Sequence, residues 1–187
     1  MTVLSVNLNK VALLRNSREG QRASVIEFAR LAIAAGAGGI TVHPRPDQRH
    51  VRASDVPALA TMLKTEYPHI EFNIEGNPVA DANAGGYPGF IPLIKAVGPA
   101  QATLVPDSDD QLTSDHGWDL SVAQPQLRAH IEACQQAGAR VSLFMDPVVE
   151  HMAIAADYGA DRVEFYTGPY AETFWQYGAA DQRTQDC

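Results

Sequence analysis

The densest group of chemically capable side chains is the segment His43–His50, which reads HPRPDQRH. It holds two imidazoles and two guanidinium groups within eight residues, and two prolines stiffen it. Arginine presents a fork of N–H donors that matches a phosphate group, so the segment predicts a site for a phosphate ester. The alternative is a solvated loop in which the arginines pair with Asp47. His43 ends a predicted strand, and an imidazole there suits proton transfer near neutral pH.

Charge and composition limit what else the chain does. The 187 residues include 14 Lys and Arg against 22 Asp and Glu, a net charge of −8. This sign argues against a nucleic-acid or anionic-membrane binder, so a bound anion needs a local basic cluster. The two cysteines, Cys134 and Cys187, show no disulfide or zinc spacing, and the N-terminus shows no targeting pattern. We therefore expect a cytoplasmic protein without a metal site.

Six units of strand, loop and helix follow one another along the chain. The expected strands cover residues 3–7, 39–43, 70–74, 102–105, 140–145 and 162–166. The expected helices cover residues 22–35, 54–65, 91–97, 123–137 and 147–158, with a last helix after residue 169. A polar loop is expected between the first strand and the first helix. Strict alternation predicts a parallel α/β sheet, either a (β/α)₈ TIM-type barrel or a doubly wound open sheet.

Polar stripes on the strands favour the barrel. Residues two apart share a strand face, and polar residues repeat at that spacing in four strands. The stripes are Ser5, Asn7 and Asn9; Thr41 and His43; Glu71, Asn73 and Glu75; and Arg162, Glu164 and Tyr166. An open sheet covered by helices on both faces has nearly continuous apolar strands. Polar stripes instead fit side chains that point into a barrel. The stripes end at the carboxyl ends of the strands, where barrel enzymes have their active sites.

Two carboxylates fall inside predicted strands. Glu71 and Glu164 each stand between apolar neighbours, where an unpaired buried charge costs several kcal/mol. Together with His43 they form an acid/base set, with Glu164 in a supporting place. For Glu164 the alternative is an ion pair with Arg162 or Arg140. The acidic run 107–110 lacks the spacing of a calcium loop, so we interpret it as a solvated loop.

These motifs resemble the pyridoxine 5′-phosphate synthase family. The segment TVHPRPDQRH at residues 41–50 is the most specific, and the resemblance runs in order from residue 3 to about residue 172. The other segments that carry it are residues 6–9, 14–18, 104–106, 141–144 and 164–170, with Glu71.

The resemblance implies a (β/α)₈ barrel that condenses 3-amino-2-oxopropyl phosphate with 1-deoxy-D-xylulose 5-phosphate. The products are pyridoxine 5′-phosphate, phosphate and water. It implies a cytoplasmic transferase of bacterial vitamin B6 biosynthesis, a homo-octamer that needs neither metal nor cofactor. Its partners would be small phosphorylated substrates, and neither nucleic acid nor a membrane.

Residue roles follow from the same resemblance. It implies that His43 and Glu71 are proton acceptors, and that Asn7 and Arg18 bind the amino-ketone phosphate.

The resemblance also implies that Arg45, His50 and Thr113 bind the deoxyxylulose phosphate. Asn9 and Lys10 stand where the family pattern has Asp-His, and they are positional candidates for the same substrate.

Alternatives to this enzyme stay open. One is a catalytically silent relative that binds a phosphorylated metabolite, and another is a different phosphosugar lyase or isomerase on the same barrel. The family pattern continues through two more strands, and nothing after Tyr170 resembles them. We therefore expect residues 1–187 to form a single barrel domain that is incomplete at its C-terminus.

Overall fold

A six-stranded parallel sheet forms the centre of the computed structural model, which describes residues 2–17, 23–108 and 111–187. The strands lie in chain order from β1 to β6, and the sheet curls into a half-barrel. Their bounds are β1 Ser5–Asn7, β2 Gly39–Val42, β3 Glu71–Gly76, β4 Gln101–Leu104, β5 Arg140–Met145 and β6 Arg162–Phe165. The predicted parallel α/β fold of the TIM type is thus confirmed as part of a (β/α)₈ barrel.

Helices connect the strands in regular alternation. Their bounds are α1 Asn9–Asn16, α2 Val25–Ala34, α3 Asp55–Glu66, α4 Phe90–Val97, α5 Leu127–Gln136, α6 Val149–Tyr158, α7 Gly168–Tyr177 and α8 Gln182–Gln185. Ser24 starts α2 by accepting a hydrogen bond from the Glu27 N–H, the pattern of an N-terminal cap. The expected start of this helix at Arg22 lies outside the described residues.

The expected loop after β1 is wrong, because residues 9–16 form α1. Most of this segment consists of good helix formers such as Lys, Ala, Leu and Arg. Leu8 and Ala12 are fully buried, so packing against the sheet stabilises a helix that is too short to persist alone.

The apolar core lies between the convex face of the sheet and the helices. On β2, Ile40 and Val42 are fully buried, while Thr41 between them takes part in the polar network of the opposite face. Burying one such aliphatic side chain stabilises the fold by about 1.5–3 kcal/mol. The helices contribute Leu59, Ile94 and Ile131 among others to this layer.

The concave face of the sheet is polar, as the stripes predicted. The Ser5 and Thr41 hydroxyl oxygens lie 2.8 Å apart, and the Thr103 hydroxyl lies 3.1 Å from Asn73 Oδ1. In the register of the sheet, Thr41 is opposite Asn73 on β3. This network satisfies polar groups that the curled sheet removes from water.

The described sheet has β1 and β6 as its edges. Beyond β6, α7 has only half-buried or exposed residues, and Trp175 on it is 84% exposed. Within the described residues, no helix has the length and apolar character needed to cross a membrane.

Candidate active site

His43 lies directly after β2, at the carboxyl end of the sheet. Its backbone N–H donates to Asn9 Oδ1 at 2.8 Å, which fixes the start of the loop. Its Nδ1 lies 3.9 Å from Glu75 Oε2, and its ring meets the His50 ring edge-on at 6.2 Å. Burial and the positive charge of Arg45 lower the pKa of His43 well below its ordinary value of 6.5. The imidazole is therefore neutral near pH 7 and able to accept a proton.

Arg45 is buried beside His43 and pairs with Asp107, which is also buried. Arg45 also donates to the backbone oxygen of Gln111 at 3.1 Å, and Ser114 donates to the same Asp107 carboxylate at 2.7 Å. The loop after β4 is thus held against the loop after β2. A guanidinium has five N–H donors, so Arg45 keeps donors for a further anion.

The rest of the basic segment is held by α1. Arg15 forms an ion pair with Asp55 at 2.6 Å and donates to the His50 backbone oxygen at 3.1 Å. Asn16 donates to the same oxygen at 2.8 Å. Burial, followed by the charge of Arg45, lowers the pKa of His50 to about 4. His50 is therefore neutral over most of the physiological pH range.

Arg49 pairs with Asp47 at 2.5 Å and donates to the backbone oxygens of Gln111 and Leu112 at 3.0 and 3.2 Å. The alternative of an arginine paired with Asp47 is therefore correct for Arg49 and not for Arg45. A cavity of about 180 Å³ lies between these loops. Its lining includes His43, Pro44, Arg45, Pro46, Asp47, Asn77, Asn83, Tyr87, Asp107 and Ser108.

A second cavity, of about 430 Å³, follows the concave face of the sheet. Its polar lining includes Ser5, Asn7, Thr41, Glu71, Asn73, Glu75, Gln101, Arg162 and Glu164. Burial, followed by the neighbouring carboxylates of Glu164 and Asp107, raises the pKa of Glu75 to about 8. Burial also raises the pKa of Glu164, against a hydrogen bond from Thr103. Two carboxyl groups with raised pKa values thus share this cavity, and one of them, Glu75, lies 3.9 Å from the neutral imidazole of His43.

Glu71 lies apart from His43. It is the first residue of β3, opposite Gly39, whereas His43 lies four residues further along toward the carboxyl ends. Glu71 pairs with Arg140 and lies 3.4 Å from Arg162, at the amino end of the sheet. The two arginines proposed as partners of Glu164 thus contact Glu71. The role of Glu71 as proton acceptor stays a prediction.

Some of the other predicted residues contact the site, and others are exposed or lie outside the described part of the chain. Asn9 accepts a hydrogen bond from the His43 backbone, and Asn7 Nδ2 lies 3.4 Å from Glu75 Oε2. Lys10 is an exposed residue of α1, and Thr113 is exposed in the segment that follows Leu112. Arg18 lies outside the described residues.

Sequence reasoning missed two residues of the site. The acidic run 107–110 predicts a solvated loop, which is wrong for Asp107, because this residue is 3% exposed and pairs with Arg45. The two residues are 62 positions apart in the chain, so no local sequence pattern predicts their ion pair. Glu75 was placed on a polar stripe without a role. The register supplies the missing signal, because Thr41 lies opposite Asn73 and the next inward pair is therefore His43 and Glu75.

Comparison with known proteins shows the family of the chain. The sequence model of the family described as "Pyridoxal phosphate biosynthesis protein PdxJ" matches residues 4–186. A pyridoxine 5′-phosphate synthase of Xanthomonas campestris pv. campestris (strain B100) is 58% identical over 171 residues. That alignment covers 91% of this chain and 66% of the relative.

Other relatives show similar values. A pyridoxine 5′-phosphate synthase of Xanthomonas oryzae pv. oryzae (strain PXO99A) is 58% identical over 170 residues, again 91% of this chain and 66% of the relative. One of Xylella fastidiosa (strain M12) is 54% identical over 171 residues, 91% of this chain and 65% of the relative. The chain thus spans about two thirds of the length of these relatives. A family match that covers nearly the whole chain leads to one conclusion: this chain belongs to the family of pyridoxal phosphate biosynthesis proteins PdxJ.

Proposed function

We propose that this chain takes part in the synthesis of pyridoxine 5′-phosphate. The reaction condenses 3-amino-2-oxopropyl phosphate with 1-deoxy-D-xylulose 5-phosphate and releases phosphate and water. The observation that carries the proposal is a neutral, buried His43 that lines one cavity with Arg45. The relatives that bear the synthase name support the same reaction.

His43 is the proton acceptor in this proposal. Ring closure passes through imine formation, enolisation and dehydration, and each step moves protons at carbon, nitrogen or oxygen. A base works best when it is unprotonated at the working pH, and the lowered pKa of His43 meets that requirement. Glu71 is the second acceptor by resemblance, and Glu164 supports the set from β6 through its place in the same cavity.

Phosphate binding is assigned to the basic loop. Arg45, His50 and Thr113 hold the deoxyxylulose phosphate in the proposal, with Asn9 and Lys10 as neighbouring contacts. The small cavity beside Arg45 supports this placement. Both substrates are dianionic esters, so a local cluster is needed against the net charge of −8.

The amino-ketone phosphate is assigned to Asn7 and Arg18. Asn7 lies on the concave face and its amide reaches Glu75, so a substrate beside it is within reach of the titrating groups. Holding two reactants in one cavity is itself a large part of catalysis for a condensation.

Assembly and location complete the proposal. We propose a single barrel domain that assembles into a homo-octamer in the cytoplasm. The exposed aromatic residues of α7, Tyr170 (47% exposed), Phe174 (38%) and Trp175 (84%), support association with further protein surface. Size-exclusion chromatography with light scattering measures the mass; a monomer at micromolar concentration contradicts this part.

The test of the reaction incubates the purified chain with both substrates and measures pyridoxine 5′-phosphate by mass spectrometry. We expect product from the unaltered chain, and none from His43→Ala. His69→Ala, at an exposed histidine away from the site, is the matched control and is expected to keep activity.

The alternatives give different results in the same experiment. Absence of turnover, with binding of deoxyxylulose phosphate that Arg45→Ala abolishes, indicates a silent binder. Turnover of a single phosphosugar without the amino ketone indicates a lyase or isomerase.

A further inference from the structure

Glu75 is the carboxyl group that faces the base. The 3.9 Å between His43 Nδ1 and Glu75 Oε2 is longer than a hydrogen bond. Catalytic hydrogen bonds are often long in an unliganded site and shorten when substrate binds. The two side chains come from neighbouring strands, and their side chains are 7% and 13% exposed. We infer that Glu75 is the proton-relay partner of His43, the group that sets which ring nitrogen carries the proton. This inference rests on the proposed function for its catalytic meaning.

The surroundings of Glu75 favour its protonated form. Asn7 from β1 contributes an uncharged amide, and Thr103 from β4 lies opposite in the register. The charged groups that act on it are Glu164 from β6 and Asp107 from the loop after β4. Both are acidic, so near neutral pH the Glu75 carboxyl keeps its proton, and burial acts in the same direction.

The surroundings of His43 favour its neutral form. Burial, Arg45, His50 and Arg49 all oppose a positive charge on the imidazole. The pair therefore holds one neutral base and one neutral acid side by side. A neutral pair can move a proton without creating an isolated buried charge on the imidazole.

A proton moves along the pair without a net charge on the imidazole. In the resting pair the Glu75 O–H donates to His43 Nδ1, and Nε2 carries the imidazole hydrogen. When Nε2 gives its proton to a substrate oxygen, Nδ1 takes the proton of Glu75, which becomes a carboxylate. In the resulting form, with the hydrogen on Nδ1 and Glu75 a carboxylate, Nε2 is free, and this is the form in which His43 is the proton acceptor. When Nε2 accepts a substrate proton, Nδ1 returns one to Glu75. The imidazole stays neutral throughout, and one proton leaves or enters the carboxyl group.

Glu71 lies on the same strand and the same face as Glu75 and serves as its control position. Its carboxylate contacts Arg140 and Arg162 at the other end of β3. Glu71→Gln removes this charge and leaves the contact between His43 and Glu75 in place, whereas Glu75→Gln removes the titrating carboxyl group and eliminates the relay. Comparing the two variants thus distinguishes a general effect of carboxylate charge in the cavity from an effect of the contact between Glu75 and His43.

The experiment follows the tautomer of His43 by ¹⁵N NMR of the chain labelled at histidine. His43→Gln identifies its signals among the six histidines. We expect the hydrogen at Nε2 at pH 6.5–7. We expect it to shift to Nδ1 as Glu75 ionises, with a midpoint near its pKa of about 8. In Glu75→Gln the amide still donates to Nδ1, so the tautomer stays fixed across this range. Glu71→Gln keeps the wild-type midpoint.

Two results overturn the inference: a midpoint that persists in Glu75→Gln, or a His43 tautomer that does not change between pH 6.5 and 9 in the unaltered chain. Both are read without turnover, so a failure of the proposed reaction is seen separately. Where the chain is active, we expect Glu75→Gln to lower kcat at least tenfold and to remove the limb of the pH profile near 8, with KM little changed. A loss of activity at unchanged pH profile indicates a merely structural role.

Discussion

The guanidinium of Arg45 and the carboxylate of Asp107 form a buried ion pair between the loops that follow β2 and β4. Both side chains are at most 6% exposed. Breaking such a pair from one side leaves the other charge buried without a partner, which costs about 3–5 kcal/mol. The pair therefore joins the loop that carries the basic segment His43–His50 to the loop after β4.

Replacement of the carboxylate tests this connection. We expect Asp107→Ala to lower the free energy of unfolding by about 3–5 kcal/mol, measured by urea denaturation. Asp115→Ala removes an exposed carboxylate of the same loop, paired with His116, and is expected to leave the free energy of unfolding nearly unchanged. Equal losses in the two variants contradict a special role for the buried pair.

The raised pKa of Glu75 makes stability depend on pH. Its pKa is about 8 in the folded chain against 4.5 as the ordinary value, so the folded state binds more protons between these limits. The contribution of Glu75 to the free energy of unfolding therefore falls as pH rises from 4.5 to 8. We expect Glu75→Gln to lose this fall and to be more stable than the unaltered chain above pH 8.

Thermal denaturation across pH 5–9 measures the effect, with Glu66→Gln as control. The Glu66 carboxyl is exposed and its pKa is lowered by Arg30, so its contribution changes below pH 4.5 and leaves this window unchanged. Parallel pH profiles for Glu75→Gln and the unaltered chain contradict the shift.

The two thiols differ in reactivity. Cys134 is fully buried on α5, and burial raises its pKa to about 12, whereas Cys187 is exposed. The thiolate is the reactive form, so Ellman's reagent is expected to modify one thiol quickly and the second only when the chain unfolds. Cys187→Ser removes the fast phase. A fast phase that survives in Cys187→Ser shows that Cys134 is accessible in the folded state.

Gly117 marks a close approach of backbones. A Cβ there lies inside van der Waals distance of the Met145 and Asp146 backbone, and neither backbone can move as a flexible side chain does. The adjacent Trp118 donates from its backbone to Phe144 O and from Nε1 to Leu104 O, both at 2.9 Å.

We expect Gly117→Ala to displace this loop and to cost about 1–3 kcal/mol. Since the loop contacts Arg45 and Arg49 through Gln111, the affinity for deoxyxylulose phosphate should fall as well. Calorimetric titration measures the binding. His116→Ala, at an exposed neighbour, is the control, with an expected change within about 0.5 kcal/mol. Unchanged stability in Gly117→Ala contradicts the close approach.

Local patterns in the sequence were enough to predict the βα alternation and the polar concave face. The period of two along β3 placed Glu71, Asn73 and Glu75 on one side, and the structure places all three in one cavity. The same pattern cannot tell which of these residues lies near His43. That depends on the register between β2 and β3, which is set by packing rather than by neighbouring residues.

Local sequence patterns also cannot predict the long-range ion pair between Asp107 and Arg45. Asp107 and Arg45 are far apart in the chain, and an acidic run looks the same whether it is solvated or folded back. The helix α1 was missed for a different reason. Its polar residues read as a loop, while its burial rests on Leu8 and Ala12, which contact the core only once the sheet has formed.

The eight residues of α1 have a consequence for the spacing of the site. At its first residue, the Asn9 side chain holds the backbone of His43, and at its last residue, Asn16 holds the backbone of His50. Eight helical residues span roughly 12 Å, so α1 acts as a rigid spacer that fixes how far apart the two ends of the basic segment lie. An insertion or deletion of one residue in α1 rotates the two amides by about 100° relative to each other. The length of this helix therefore sets the distance between the two ends of the proposed binding segment, although no atom of its middle turn need touch a substrate.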